Sequence, residues 1–105
     1  MATRSAVGFF EHKNEESGES FGFVGTYVHW DGDLVGQQLT ERFGEDFAAI
    51  KGWIERGIRE GGYSDAVNAE PYGDTGAEPN PVYATDPGFD FFWLLNDDGS
   101  LVHWK

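Results

Sequence analysis

Cysteine is absent from the 105 residues. That excludes disulfide scaffolds, thiolate zinc sites and thiol nucleophiles. No apolar run approaches the roughly 20 residues that a membrane helix needs. The opening MATRSAVG has no signal-peptide hydrophobic region, so residence in the cytoplasm is expected. Basic residues are scarce: 7 Lys and Arg stand against 19 Asp and Glu, giving a net charge of −12. Such an excess speaks against direct contact with nucleic acid or an anionic membrane. Residues 61–104 contain no Lys or Arg at all, while Asp65, Glu70, Asp74, Glu78, Asp86, Asp90, Asp97 and Asp98 fall within them. An asymmetry of that kind within one small domain suggests an acidic face, or the plain solvation of a long loop.

Apolar material is plentiful. Hydrophobic residues make up 39% and aromatics 16% of the chain, enough for a real core and against global disorder. Alternation over residues 3–11 predicts a strand, and the polar HKNEESGES run a hairpin loop. Residues 21–30 form a second strand with apolar groups on both faces, the mark of a strand covered on both sides. Asp31 or Asp33 then stands where a helix N-cap is needed. Leu34, Val35, Leu39 and Phe43 follow at helical spacing as far as Gly44. A second helix is predicted over 45–60 from the stripe Phe47, Ile50, Ile54 and Ile58, with Gly61-Gly62 as its stop.

All four prolines lie in 62–88, a segment without periodicity and with a short strand at Val82-Tyr83 as its one strand signal. Its length suggests a functional loop. Residues 89–95 (FDFFWLL) read as a buried strand, and Asn96-Asp97-Asp98-Gly99 as a tight turn with Gly99 left-handed, returning through 101–104. The whole, residues 1–105, is expected to be one α+β domain. Its order is β-β-α-α-loop-β-β, a mostly antiparallel sheet built from two hairpins with both helices packed on one face.

Motifs for chemistry are few. The glycines match neither GxGxxG nor a P-loop, and Asp31-Gly32-Asp33 does not continue into a calcium loop. His29-Trp30 and His103-Trp104 repeat one dipeptide at two strand ends. Two imidazoles beside Asp31 could hold a divalent ion if those strands were neighbours. Strand-edge hydrogen bonding is the expected role of both histidines, and no metal or other cofactor is expected. A triad from Ser5 or Thr3 with His29 and Asp31 lacks a nucleophile elbow.

Thr3-Arg4-Ser5 and His29-Trp30-Asp31-Gly32, followed by Val35-Gly36 and Leu39, resemble a group of small phage and prophage proteins with a TRS strand and an HWDG motif leading into a VG-x-x-L helix. The resemblance covers residues 1–45. It departs at Asp33-Leu34, where those proteins carry an aromatic residue and a proline. It implies a phage origin, hence the host cytoplasm, and no particular chemistry.

Three functional readings compete. The first is an interaction protein that binds and inhibits a host or defence protein with a basic surface, in the manner of a nucleic-acid mimic. Its contacts would be Tyr63, Asp65, Glu70, Tyr72, Asp74, Glu78 and Tyr83, tyrosines offering contact area at small entropic cost and carboxylates standing in for phosphates. Against it, the tyrosines would fold back as lids on the core. The second reading is a binder of a small anionic or nucleotide-like ligand in a pocket of Thr3, Arg4, Ser5, His29, Trp30 and Asp31, with Arg4 for an anion and Trp30 for a flat ring. A structural Arg4–Asp31 tie competes with it. An enzyme using His29 is the weakest. An exposed edge strand and abundant aromatics also fit a homodimer.

Overall fold

A computed structural model describes residues 3–11, 22–70, 81–84 and 86–104. Strands β1 (Ser5–Glu11) and β2 (Gly22–Val28) form the first hairpin, in the register Ser5↔Val28 to Glu11↔Gly22. Helices α1 (Val35–Phe43) and α2 (Phe47–Arg59) follow, then the two-residue β3 (Val82–Tyr83). Strands β4 (Phe91–Leu95) and β5 (Leu101–His103) form the second hairpin. The five strands lie in the order β3-β2-β1-β4-β5. Both expected antiparallel strand pairs are present, the loop expected over 12–20 lies outside the described residues, and the short strand within 62–88 is real. It pairs with β2 through Val24↔Tyr83 and Gly25↔Val82.

The sheet is mixed, which corrects the expectation of a mostly antiparallel one built from two hairpins alone. The hairpins join through β1 and β4, and these run parallel, from Ser5↔Phe91 to Gly8↔Leu94. Two helices and the 62–88 segment lie between the hairpins in sequence, and a connection of that length can return the chain to either end of the sheet.

One face of the sheet carries the helices. Val7, Val28 and Leu95 meet Val35 and Leu39 of α1 and Ile50, Trp53 and Ile54 of α2 in one buried cluster. Of the stripe expected on α2, Ile50 and Ile54 are fully buried, whereas Phe47 and Ile58 pack at the cluster's margin. Asp46 caps this helix by accepting the Ala49 N–H at 3.1 Å, relieving one of its free first-turn donors. Helix α1 has no such cap. Leu34 takes the N-cap position and neither Asp31 nor Asp33 reaches back, contrary to the reading of the sequence.

The opposite face holds a second cluster of Ala6, Phe23, Val82, Phe92 and Leu94. Trp104 stacks on Phe23 at 5.0 Å and meets Phe10 edge-on at 5.3 Å. β2 is thus apolar on both faces, as its sequence suggested. The Asn96–Gly99 turn closes with Gly99 at φ 89°, while the Asp98 carboxylate accepts both the N–H and the hydroxyl of Ser100. The result is a compact single-domain α+β fold. Among the described residues no helix is long and apolar enough to cross a membrane.

Candidate functional site

The HWDG segment is a tight corner where β2 leaves the sheet. Val28 bridges Tyr63 in parallel, and the N–H groups of His29 and Trp30 donate to the carbonyls of Tyr63 and Ser64 at 3.0 and 2.8 Å. Asp31 then adopts φ 58°, a left-handed conformation that Asp tolerates better than most residues. Gly32 donates to the Thr3 carbonyl at 2.8 Å and accepts from the Trp93 indole at 2.6 Å. A Cβ on Gly32 would stand 2.6 Å from that Thr3 oxygen and 2.8 Å from the Ser5 Cβ. Only glycine fits so close a crossing.

The same corner divides the residues expected to share a ligand pocket. Ser5 pairs with Val28 and faces the helices, fully buried, its Oγ without a hydrogen-bond partner. Arg4 and His29 belong to the opposite face by strand alternation. His29 Nδ1 shares a hydrogen bond with the Tyr27 hydroxyl, and its ring meets Trp30 edge-on at 4.6 Å. Thr3 takes part through its carbonyl, and Trp30 and Asp31 are exposed. Arg4 is tied elsewhere than to Asp31. Its guanidinium makes no ion pair with Asp31, while its backbone N–H donates to the Asp90 carboxylate at 3.0 Å and its carbonyl accepts from the Asp90 N–H at 2.9 Å. Nor do His29 and His103 meet, because β1 and β4 stand between their strands. His103 instead stacks on Phe91 at 4.6 Å. Among the described residues no three His, Asp or Glu side chains converge as a metal site would require.

The acidic tyrosine surface also divides. Tyr63 is a core residue, which corrects its reading as a contact. The bridge to Val28 draws it beneath α2, where it is fully buried, stacks on Trp53 at 4.0 Å and donates its hydroxyl to the Trp53 carbonyl at 2.6 Å. Burial pushes its pKa up from 10.0 to about 12, against the opposing pull of Arg56. Asp65 is half-buried and caps a turn, accepting the Asn68 N–H at 2.6 Å. Glu70 and Tyr83 are exposed. Tyr72, Asp74 and Glu78 lie outside the described residues.

The Tyr63 shift has a direct consequence for stability. Below pH 10 the folded and unfolded chains both keep the phenol proton. Between pH 10.0 and about 12 the unfolded chain releases it first, so stability falls with rising pH by up to about 1.4 kcal/mol per unit. Urea midpoints should decline across that window in the parent protein and by less in Tyr63→Phe. Equal declines would refute the assignment.

A crevice of about 510 Å³ opens at the carboxyl ends of β1 and β4, between Phe9, Phe47, Lys51, Glu55 and Asp97. The sequence gives no sign of it, because its walls come from β1, α2, β4 and the turn after β4, with no shared motif. The Lys51 ammonium sits 5.3 Å from the Phe9 ring centre and 6.0 Å from that of Phe47. The aromatic seat there is filled by the chain's own cation.

Among the described residues most carboxylates have no cationic partner. Arg56–Glu60, at 2.7 Å, is the one ion pair within 4 Å among the described residues. Asp31, Asp33, Glu41, Glu45, Glu55, Glu70, Asp90 and Asp97 are all exposed. Compared with known protein families, curated proteins and solved structures, the chain shows no match.

Proposed function

We propose that this is an acidic, phage-type interaction protein that docks on a basic surface of a host or defence protein and inhibits it, its carboxylates standing where phosphates would. The observation that carries this reading is the unpaired charge. Several carboxylates cap turns or a helix, but with one ion pair among the described residues and a net charge of −12, little of their charge is neutralised within the fold. They project a negative field that draws a basic partner and repels nucleic acid and anionic lipid.

The test is capture of partners from bacterial host lysate on the tagged protein, with washes of rising salt. A stoichiometric partner should elute as salt rises, since screening weakens contacts between exposed charges. Neutralising Asp65, Glu70, Asp74 and Glu78 together, to Asn and Gln, should weaken that complex about tenfold or more, because a few kcal/mol attach to opposed charges at such interfaces. A complex indifferent both to salt and to the four neutralisations would refute the reading.

A further inference from the structure

We infer that Trp30, Leu34 and Val67 form the anchor of the docking surface, seated in an apolar pocket of the partner whose rim carries arginine or lysine. This rests on the acidic-docking reading and gives it a location.

Six large apolar side chains among the described residues are more than a third exposed, and three belong to this corner: Trp30 at 46%, Leu34 at 43% and Val67 at 62%. They come from two segments fastened together at one end of the sheet. The Trp30 N–H donates to the Ser64 carbonyl, just before the 65–69 turn that carries Val67. The Leu34 N–H donates to the Asp31 carbonyl, closing the turn that leads into α1. The backbone beneath the three side chains is therefore fixed, so presenting them adds little ordering cost on binding. A half-exposed tryptophan offers on the order of 100 Å² of ring surface, and tryptophan is the residue most often found at the energetic centre of interfaces.

Three acids lie on the same two segments. Asp31, Asp33 and Glu70 are exposed. Among the described residues no ion pair or side-chain hydrogen bond uses the carboxylates of Asp31 and Asp33. The turn needs a residue that accepts φ 58° at position 31, which Asn or Gly would supply equally well, so the fold itself does not call for the charge. Exposed apolar groups interspersed with unused carboxylates are the complement of an apolar pocket with a basic rim. The same acids, on a chain of charge −12, oppose a second copy on this face.

The experiment is a ¹⁵N NMR titration of the full chain with three synthetic helical peptides of equal length. One has a leucine face and an arginine face, one has arginine with alanine in place of leucine, and one has leucine with glutamine in place of arginine. The leucine–arginine peptide should shift the Trp30 indole N–H and the Leu34 and Val67 amides most. Trp30→Ala should weaken it about tenfold, while Phe10→Ala, an exposed aromatic elsewhere on the sheet, should leave affinity unchanged. Trp30 is half-exposed, and an unchanged amide spectrum for the remaining residues will establish that the variant folds.

If the arginine peptides bind in a salt-sensitive way but Trp30→Ala has no effect, the anchor is refuted and acidic docking stands. If neither arginine peptide binds at low salt, docking fails and the anchor with it. Self-association of the free protein that Trp30→Ala abolishes would also overturn the proposal, since the corner would then face another copy.

Discussion

Gly8→Ala will cost at least about 3 kcal/mol of stability, the upper part of the usual range for overpacking, although it adds one carbon. Gly8 lies opposite Gly25 in the middle of β1, the central strand of the sheet. A Cβ there would stand 2.2 Å from the Val24 carbonyl oxygen and 2.7 Å from the Gly25 Cα, both backbone atoms, and 2.7 Å from the Phe23 ring. A side chain can turn aside from such an intruder, but a neighbouring strand can yield only by breaking its register. Domains of this size are stable by about 5–15 kcal/mol in total, so Gly8→Val should leave no cooperative unfolding transition. Gly52→Ala is the matched control. It sits on the exposed side of α2 with nothing within 4 Å of the added carbon, and should stabilise by about 0.5–1 kcal/mol through helix propensity alone. Urea melts of both variants test the pair, and similar midpoints would refute the packing argument.

Tyr63→Ala should destabilise by about 3–5 kcal/mol, the usual range for removing a large buried aromatic side chain. Tyr63 lies between Trp53, on which it stacks, and Gly57, where even one added carbon would come within 2.5 Å of the Tyr63 ring. No small side chain fills that slot. Tyr63→Phe keeps the ring and loses the bond to the Trp53 carbonyl, which should cost only about 1 kcal/mol. The two substitutions separate core packing from the hydroxyl. A small loss for Tyr63→Ala would mean that the 62–70 segment detaches without disturbing the helices, and the burial described above would be wrong for the protein in solution.

Local pattern carried much of this fold. The strands, both helices, the left-handed Gly99 and the strand at Val82-Tyr83 were legible because alternation, helical stripes and turn residues are properties of neighbours in sequence. The parallel pairing of β1 with β4 has no such neighbour signal, since either direction satisfies the same apolar faces. Tyr63 was misread for a related reason. Its surroundings are rich in glycine and acids, and only the distant Val28 shows that the backbone there runs beside a strand. Leu34 fitted a helical stripe by spacing, yet the helix begins one residue later and turns it outward. At the candidate site, the chemical types in HWDG and their alternation were evident, but not which face of the sheet the helices would cover. The packing of α1 and α2 on Val7 and Val28 decides that, placing Ser5 with the helices and Arg4 with His29 on the other side.

The position of β1 also sets an order of events during synthesis. It is the first described strand to be made and it lies at the centre of the sheet, with β2 on one side and β4 on the other. Ser5 must wait for Phe91 before its second flank is covered. At ribosomal speeds of about 5–20 residues per second, that delay is roughly 4–17 s. Throughout it the β1–β2 hairpin offers an open parallel edge beside Val7 and Phe9, a template for pairing with other chains. A chaperone that covers this edge would therefore protect the chain during the interval, because the fold closes only when its last hairpin arrives.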